Sequence, residues 1–473
     1  MADSRAPNLL VLLCDQQQRN VLGPYGGPAP TPTWDRMAEN GVVFDRYYCA
    51  TPMCVPTRPS MMNARWPHQH GSICNSTKAY ATLHEGEELL IDRLQDAGYH
   101  VGYEGIWHIN RPEQDDRTGE YAHFVSSGFP YELQGEMLVE QGRRPDDQRA
   151  PVFTPTDHGD EKAQISVPVP ATWTRPIEQH PDMMRAQHIA DFILAAPEDK
   201  ALAAWCSLGG PHPPLLVPEP YMSIFDPAEL EPPPGFGADM SELPRSVRES
   251  PGALGVEGWG WDRWSVAIAA YLGYTAFVDH CMGVVLDALE QSGRLDDAVV
   301  IASTDHGEML GALNIYQKFV MYDRSARVPF IIRAPGIEPG RRAHLTSQTD
   351  FAPTVLELLG MEPLERAEGE SLAPILRDPS TPSRECTFYE YNGWKDGGFK
   401  MRAVVSERCK YVYSHEDRDQ LFDLERDPDE LTNLVDDPAH AGLVHEMRTA
   451  LSAWMCDTGD FLTPTWADDA VSR

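Results

Sequence analysis

The fold class is decided by residues 8–15, NLLVLLCD, an apolar run that ends at an aspartate. A continuous run of this kind is typical of a strand that is buried on both faces of a parallel sheet. Two further runs have the same form and the same polar ending, AVVIAS at 298–303 before Asp305 and LAAWCSL at 202–208 before His212. Because ligands of open parallel sheets bind beyond the carboxyl ends of the strands, we expect the functional residues of an α/β fold to lie there.

The rest of the chain predicts helices around this sheet and a change of pattern near residue 376. Apolar residues recur with helical spacing at 89–97, 182–196 and 266–292, whereas the proline- and acid-rich segment 211–237 predicts a surface loop or lid. The later apolar runs are short, at 386–389, 401–405 and 409–413, and a helix follows at 443–455. We therefore expect a catalytic domain over residues 1–375 and a small C-terminal α+β subdomain over residues 376–473, built from an antiparallel sheet and a packing helix.

The 473-residue chain is strongly acidic, with 39 Lys plus Arg against 72 Asp plus Glu and a net charge of -33. Such a chain is repelled by nucleic acid and by anionic lipid, so neither is an expected partner, and an anionic substrate needs a local positive pocket. No apolar run approaches the ~18 residues of a membrane span. The first residues lack a basic leader and an Ala-x-Ala cleavage site, so we expect no signal peptide. The nine cysteines are scattered without a Cys-x-x-Cys pair, which favours a cytoplasmic protein. An oligomer is compatible with the sequence, which does not specify one.

The strongest motif is Cys54-Val55-Pro56-Thr57-Arg58. It resembles the Cys-x-Pro-x-Arg signature of the type I sulfatases of the alkaline phosphatase superfamily, and residues 31–48 resemble the segment that precedes it there. The resemblance implies an alkaline phosphatase-like sandwich, with a central, mostly parallel sheet flanked by helices. It also implies that a formylglycine-generating enzyme oxidises Cys54 to formylglycine, and that sulfate esters of small molecules or saccharides are hydrolysed to inorganic sulfate and an alcohol. A hydrated aldehyde offers two hydroxyls, one to attack sulfur and one to expel sulfate, and a plain cysteine lacks that second step.

Asp15-Gln16 and Asp305-His306 each follow a buried strand, and neighbouring strands would bring the two pairs together. Taken singly, an aspartate at a strand end is often only a helix cap. Four oxygen and nitrogen donors beside Cys54 would form a divalent metal site that lowers the pKa of the attacking hydroxyl. The resemblance places the metal at these same positions. Asp and Gln oxygens suit Ca²⁺, whereas His306, where the family more often has Asn, also admits Mn²⁺.

The resemblance assigns roles to four further side chains. Arg58, one helical turn beyond Cys54, would hold the formylglycine oxygen and the charge on the metal side. His108, in a segment that resembles the family's Gly-Lys-Trp-His, would orient the formylglycine hydroxyls. His212 and Lys318 would supply positive charge and a proton for the leaving oxygen. The alternative for these last two residues is a loop histidine and a solvated lysine.

The sequence departs from the family at Ile106, where a lysine that touches the sulfate is expected. Leu313 replaces a common histidine, and residues 61–65 differ from the tract that the formylglycine-generating enzyme recognises. Phosphonate monoester hydrolases and phosphodiesterases of the same superfamily also use formylglycine and also lack this lysine, so they are the alternative function. A catalytically inactive relative that only binds a ligand is a third interpretation, and the intact Cys54 and Arg58 argue against it. No motif names the alcohol part of the substrate.

Overall fold

The computed structural model describes residues 6–75, 80–144, 146, 149–152, 163–394 and 398–463. Its strands are β1 (Asn8–Asp15), β2 (Val42–Tyr48), β3 (His100–Gly105), β4 (His123–Ser126), β5 (Arg149–Val152), β6 (Ala163–Ser166), β7 (Ala171–Trp173), β8 (Leu202–Pro211), β9 (Leu216–Pro218), β10 (Ala298–Thr304), β11 (Arg327–Arg333), β12 (Gly340–Ser347), β13 (Cys386–Tyr391), β14 (Met401–Ser406), β15 (Cys409–Ser414) and β16 (Gln420–Asp423). Its helices are α1 (Pro32–Asn40), α2 (Cys54–Asn63), α3 (Pro67–His70), α4 (Leu90–Asp96), α5 (Tyr131–Glu140), α6 (Pro181–Leu194), α7 (Arg245–Arg248), α8 (Pro251–Leu254), α9 (Trp261–Gln291), α10 (Asp323–Ala326), α11 (Phe351–Leu358), α12 (Ala373–Arg377) and α13 (Ala441–Thr458).

The central sheet has eight strands in the order β12-β2-β11-β10-β1-β8-β3-β4. All of them run parallel to β1 except β11, which is antiparallel to both of its neighbours. The predicted, mostly parallel α/β sheet is therefore confirmed. The three strands predicted from their apolar runs lie side by side at its centre, so their carboxyl ends meet at one edge.

Both faces of the sheet are covered, which explains the continuous apolar sequence of β1. Leu9, Val11 and Leu13 pack into a core shared with α2, α4 and α11. The alternate residues Leu10 and Leu12 pack into a second core, shared with α1, α6 and α9. Because the side chains on both faces of β1 are buried, this strand has no polar face of the kind that a solvent-exposed antiparallel strand shows.

Helix α9 begins at Trp261, earlier than the predicted residue 266, because Trp264 already lies in the second core. Among the described residues, it is the one helix long and apolar enough to cross a membrane by length and composition. Yet 83% of its most apolar window is buried inside the protein, which is the environment of a core helix.

The prediction of a surface loop over residues 211–237 is wrong in its first part. Leu216–Pro218 form β9, which is fully buried and pairs in parallel with β7. Proline is tolerated at the end of so short a strand because few ladder hydrogen bonds are lost there. Beyond β9 the segment consists of loops and short 3₁₀ turns.

The C-terminal part is a separate antiparallel sheet in the order β13-β14-β15-β16 with α13 packed on it, as predicted. Trp454 and Met455 of α13 share one apolar cluster with Tyr411 of β15, and the same cluster includes Trp66 from the N-terminal part of the chain. His68 of α3 also contacts Glu390 of β13. The two parts are therefore held together by apolar and polar contacts, and the boundary at residues 375 and 376 stays a prediction.

Candidate active site

The parallel pairing of β1 with β10 brings the two predicted metal-binding pairs together. Cys14 lies opposite Thr304 in the register, so the next residues, Asp15 and Asp305, are neighbours at the edge of the sheet. Both carboxylates are fully buried, and Asp305 Oδ1 accepts the backbone N–H of Gln16 at 3.1 Å. Gln16 has a φ of 64°, a left-handed conformation that is costly for a residue other than glycine. The chain thus turns sharply after β1, and such strain is often found at functional sites.

Cys54 begins α2 and points at this edge. Its Sγ lies 3.7 Å from Asp15 Oδ1, 3.0 Å from His306 Nε2 and 3.2 Å from Lys318 Nζ. Burial, together with the charge of Asp15, raises the pKa of the Cys54 thiol well above its usual range. Because the thiolate is the nucleophilic form of cysteine, an unmodified Cys54 is poorly suited to attack an ester in this position.

Arg58 lies behind the two carboxylates. Its Nη2 donates to Asp15 Oδ2 at 2.9 Å, and its Nε donates to Asp305 Oδ2 at 3.0 Å. Its Nη1 donates to Ser207 Oγ at 2.9 Å and to the carbonyl oxygen of Ile106. The planar guanidinium thus fixes the two carboxylates and offsets their repulsion, on the side of the predicted metal site, and its predicted contact with the formylglycine oxygen stays a prediction.

The donor set fits a divalent cation. Asp15, Cys54, Asp305 and His306 each offer one ligand atom, and these atoms all lie within 4.8 Å of one another. His306 Nδ1 lies 3.0 Å from the carbonyl oxygen of Gly307, so Nδ1 carries the hydrogen and Nε2 keeps its lone pair for a metal. Burial lowers the pKa of His306 to about 3, which keeps the ring neutral. Burial and the facing Asp305 raise the pKa of Asp15 to about 8, and a cation between the carboxylates would remove this repulsion.

Lys318 lies beside the nucleophile and is only 1% exposed, so the alternative of a solvated lysine is wrong. Its Nζ donates to Gln16 Oε1 at 2.6 Å as well as to Cys54 Sγ. The amide nitrogen of Gln16 donates to the carboxylate of Glu308, whose pKa burial raises to about 7. Gln16 therefore turns its oxygen, the atom that could bind a metal, toward the ammonium group beside Cys54.

A cleft of about 300 Å³ lies above Cys54. Lys318, His108 and His212 line it together with Cys54. The remaining lining residues that the structure describes are aromatic, apolar or uncharged polar side chains: Asn75, Phe129, Tyr131, Ile165, Ser166, Gln317, Phe319 and Trp394. His108, predicted to orient the formylglycine hydroxyls, and the two predicted substrate residues, His212 and Lys318, thus line one cleft.

His212 is stacked on Phe129, with ring centroids 4.0 Å apart and an interplanar angle of 14°. Its Nδ1 lies 2.5 Å from the carbonyl oxygen of Pro213, which leaves Nε2 as the nitrogen that can hold or move a proton. Burial, with the charge of Lys318, lowers the pKa of His212 well below its usual range. The predicted positive charge is therefore carried by Lys318, and His212 is neutral without a substrate.

His108 occupies a left-handed conformation with a φ of 51° and lines the cleft. Burial and the nearby Arg58 lower its pKa to about 3, so the ring is neutral. Its Nδ1 is buried without a hydrogen-bond partner among the described residues. A buried polar atom without a partner often marks a functional contact, and this one is available to a group bound above Cys54.

Ile106 is fully buried, and its carbonyl oxygen accepts from Arg58, from Tyr103 and from Ser207 Oγ at 2.8 Å. The carbonyl oxygen of Ile106 therefore helps to fix the position of the Arg58 guanidinium. The side chain supplies no charge where the family pattern has a lysine.

Sequence reasoning missed a buried ion pair that holds the stacked rings in place. Arg185 Nη1 donates to Asp182 Oδ1 at 2.6 Å, and its Nη2 donates to the carbonyl oxygen of Gly128 at 2.7 Å, next to Phe129. Asp182 also accepts the N–H of Gly209 at 2.7 Å, near the end of the strand that leads to the stacked histidine. The positions of these residues carry no motif. Glu308 was also missed, although an acid so close to the predicted metal pair was a usable signal.

Two family models match this chain, and several known proteins resemble it. The family described as Sulfatase matches residues 7–361, and the family described as N-sulphoglucosamine sulphohydrolase, C-terminal, matches residues 311–456. An arylsulfatase of Clostridium perfringens is 26% identical over 94% of this chain and 93% of its own. A Delta 4,5-hexuronate-2-O-sulfatase of Bacteroides thetaiotaomicron is 27% identical over 96% of this chain and 90% of its own. The solved phosphonate monoester hydrolase of Agrobacterium radiobacter shares the fold with a TM-score of 0.78, at 23% identity and 96% coverage of each chain. Since the first match covers residues 7–361, well over half of the chain, the chain belongs to the sulfatase family.

Proposed function

We propose that this chain hydrolyses sulfate esters of small molecules or saccharides through a formylglycine made from Cys54, beside a divalent cation held by Asp15, Gln16, Asp305 and His306. The family and the arylsulfatase and saccharide sulfatase relatives support the reaction class. One observation carries the proposal: Cys54 Sγ lies 3.0 Å from His306 Nε2 and 3.2 Å from Lys318 Nζ at the base of the cleft. Carboxylate and amide oxygens favour Ca²⁺, and the imidazole makes Mn²⁺ the alternative.

When present, the cation would stabilise charge on the transferring group, and the formylglycine would supply the attacking hydroxyl. Arg58 holds Asp15 and Asp305 in fixed positions, which preorganises the donors. Lys318 places a positive charge where charge develops on the sulfate oxygens. His212 is neutral, and its Nε2 can take up a proton with the substrate and pass it to the leaving oxygen.

Hydrolysis of phosphonate monoesters or phosphodiesters is the second candidate function. Ile106 favours it, because its side chain adds no positive charge to the residues that would bind the non-bridging oxygens of the substrate. The fold shared with a phosphonate monoester hydrolase is compatible with it. Both substrate classes carry a single negative charge, so the charge of the cleft does not separate them.

A panel of three esters with the same nitrophenyl leaving group tests the proposal. A sulfate ester, a phosphonate monoester and a phosphodiester differ only in the transferred group, so the ratios of kcat/KM report on that group alone. We expect the sulfate ester to give the highest kcat/KM. A higher value for either phosphorus ester would replace the proposed function by the alternative, and no turnover of any ester by the formylglycine-bearing, metal-loaded protein would support the inactive relative.

Ile106→Lys is expected to raise the ratio of kcat/KM for the sulfate ester over the phosphodiester by about tenfold, since one charge-assisted contact of about 1.4 kcal/mol corresponds to one decade. A positioned cation favours the substrate that develops most charge where it points. The measurement is kcat/KM on both nitrophenyl esters.

Ile106→Met is the matched control, because its side chain has similar reach without charge. It should leave the ratio unchanged. Ile106 is fully buried, so the lysine could instead destabilise the protein and lower all activities together. An unchanged ratio with a lower unfolding temperature would show that position 106 packs and does not set specificity.

A further inference from the structure

Glu308 is a fully buried carboxylate whose oxygens are all engaged by N–H donors. Its Oε1 accepts the backbone N–H of Leu310 at 2.8 Å and that of Gln317 at 2.6 Å. Its Oε2 accepts the side-chain amide of Gln16. One side chain thus connects the turn that precedes Lys318 with a residue that follows β1.

The orientation of the Gln16 amide follows from its two neighbours. A carboxylate only accepts hydrogen bonds, and an ammonium group only donates them. Since Gln16 lies between Glu308 and Lys318, its nitrogen must face Glu308 and its oxygen must face Lys318. The backbone of Gln16 is fixed as well, because its N–H donates to Asp305 and its carbonyl oxygen accepts from Tyr271 Oη at 2.6 Å. The remaining freedom of this residue is the direction of its amide group.

That direction matters because hard cations bind an amide oxygen and not an amide nitrogen. We propose that Glu308 is a positioning residue that keeps the oxygen of Gln16 turned toward the metal site. The inference rests on the metal site of the proposed function. It extends that proposal, because Glu308 belongs neither to the donor set nor to the lining of the cleft and would act through Gln16.

The first test is Glu308→Gln. The new side chain keeps an oxygen for the N–H groups of Leu310 and Gln317, but it turns an NH₂ group toward Gln16. The Gln16 amide then faces a donor on both sides, the new NH₂ group and the Lys318 ammonium, so its oxygen is no longer held in one direction. Titration calorimetry of chelator-stripped protein with Ca²⁺, repeated with Mn²⁺, should show about tenfold to hundredfold weaker binding than in the wild type, the usual effect of losing a partner that orients a ligand.

The second test adds Gln16→Glu to Glu308→Gln. A carboxylate at position 16 has an oxygen at both ends, so one oxygen faces the new amide at position 308 and the other faces the cation whichever way the group turns. The total charge equals that of the wild type. The double variant should therefore recover most of the lost affinity. If Glu308 only supported the turn from Leu310 to Gln317, a change at position 16 could not restore binding.

The matched control is Glu104→Gln. Glu104 is another buried carboxylate, 2% exposed, and it lies 2.7 Å from His123 Nε2. This variant should bind Ca²⁺ as the wild type does. Wild-type affinity in Glu308→Gln, or no recovery in the double variant, would overturn the inference alone. A wild-type protein that binds neither cation would refute the metal site of the proposed function, and the role of Glu308 with it.

Discussion

Cys54→Ala is expected to lower kcat/KM for an aryl sulfate by at least about 10⁴-fold, as the loss of a covalent nucleophile does in other hydrolases. The remaining side chains of the cleft can still bind and polarise an ester, but they offer no atom that attacks it. The protein should stay folded, because Cys54 lies at the start of α2 and its Sγ contacts polar groups of the site, outside both hydrophobic cores. Steady-state kinetics and the unfolding temperature of the variant check the two halves of this expectation.

Residue 54 should carry the formylglycine aldehyde in active wild-type protein. Mass spectrometry of the peptide that contains Cys54, with and without an aldehyde-reactive hydrazide, measures the converted fraction, and activity should rise in proportion to it. Cys456→Ala, at an exposed cysteine, is the matched control and should retain full activity. An active preparation in which Cys54 is found only as a thiol would contradict the formylglycine proposal.

The centre of the sheet could be predicted from the sequence, and its flank could not. Strands β1, β8 and β10 are buried at every position, so their sequences are continuous apolar runs. Strand β12 at the edge begins Gly340-Arg341-Arg342, and β2 contains Asp45 and Arg46. Edge and partly exposed strands tolerate charged side chains, so the period that identifies a strand is interrupted there.

Some residues of the site could also be predicted from the sequence, whereas others could not. Cys54 and the Asp15 and Asp305 pairs could be predicted because each belongs to a local pattern, a motif or the end of an apolar run. Phe129 and Asp182 could not, because their role depends on contacts with residues far away in the chain. The partners of Arg58 could not be predicted in detail either, because only the register of β1 and β10 brings Asp15 and Asp305 side by side.

Asp305→Asn is expected to remove most of the bound divalent cation and to lower kcat/KM by about 10³-fold or more, because the charge stabilisation by a metal amounts to several kcal/mol. Asp305 is central to the donor set: Oδ2 accepts from Arg58, Oδ1 accepts from the N–H of Gln16, and a carboxylate oxygen lies within 4.8 Å of the donor atoms of Asp15 and His306. Asparagine keeps the shape and loses the charge. Metal analysis of the purified variant and its kcat/KM on an aryl sulfate measure the two effects.

Chelation of the wild-type protein is the companion experiment. It leaves Asp15 and Asp305 buried side by side with Arg58 as the cation that contacts both, so the unfolding temperature should fall and should recover when Ca²⁺ or Mn²⁺ is added back.

The matched control is Asp279→Asn, at a fully buried carboxylate that accepts the N–H of Thr33 and of Trp34 at the start of α1. That variant should lose about 1 kcal/mol of stability, as a helix cap does, and should keep its metal. Full activity of metal-free protein, or wild-type metal content in Asp305→Asn, would contradict the site. Equal loss of metal from Asp305→Asn and Asp279→Asn would mean that the metal is lost because the protein is less stable, and not because the charge of Asp305 is missing.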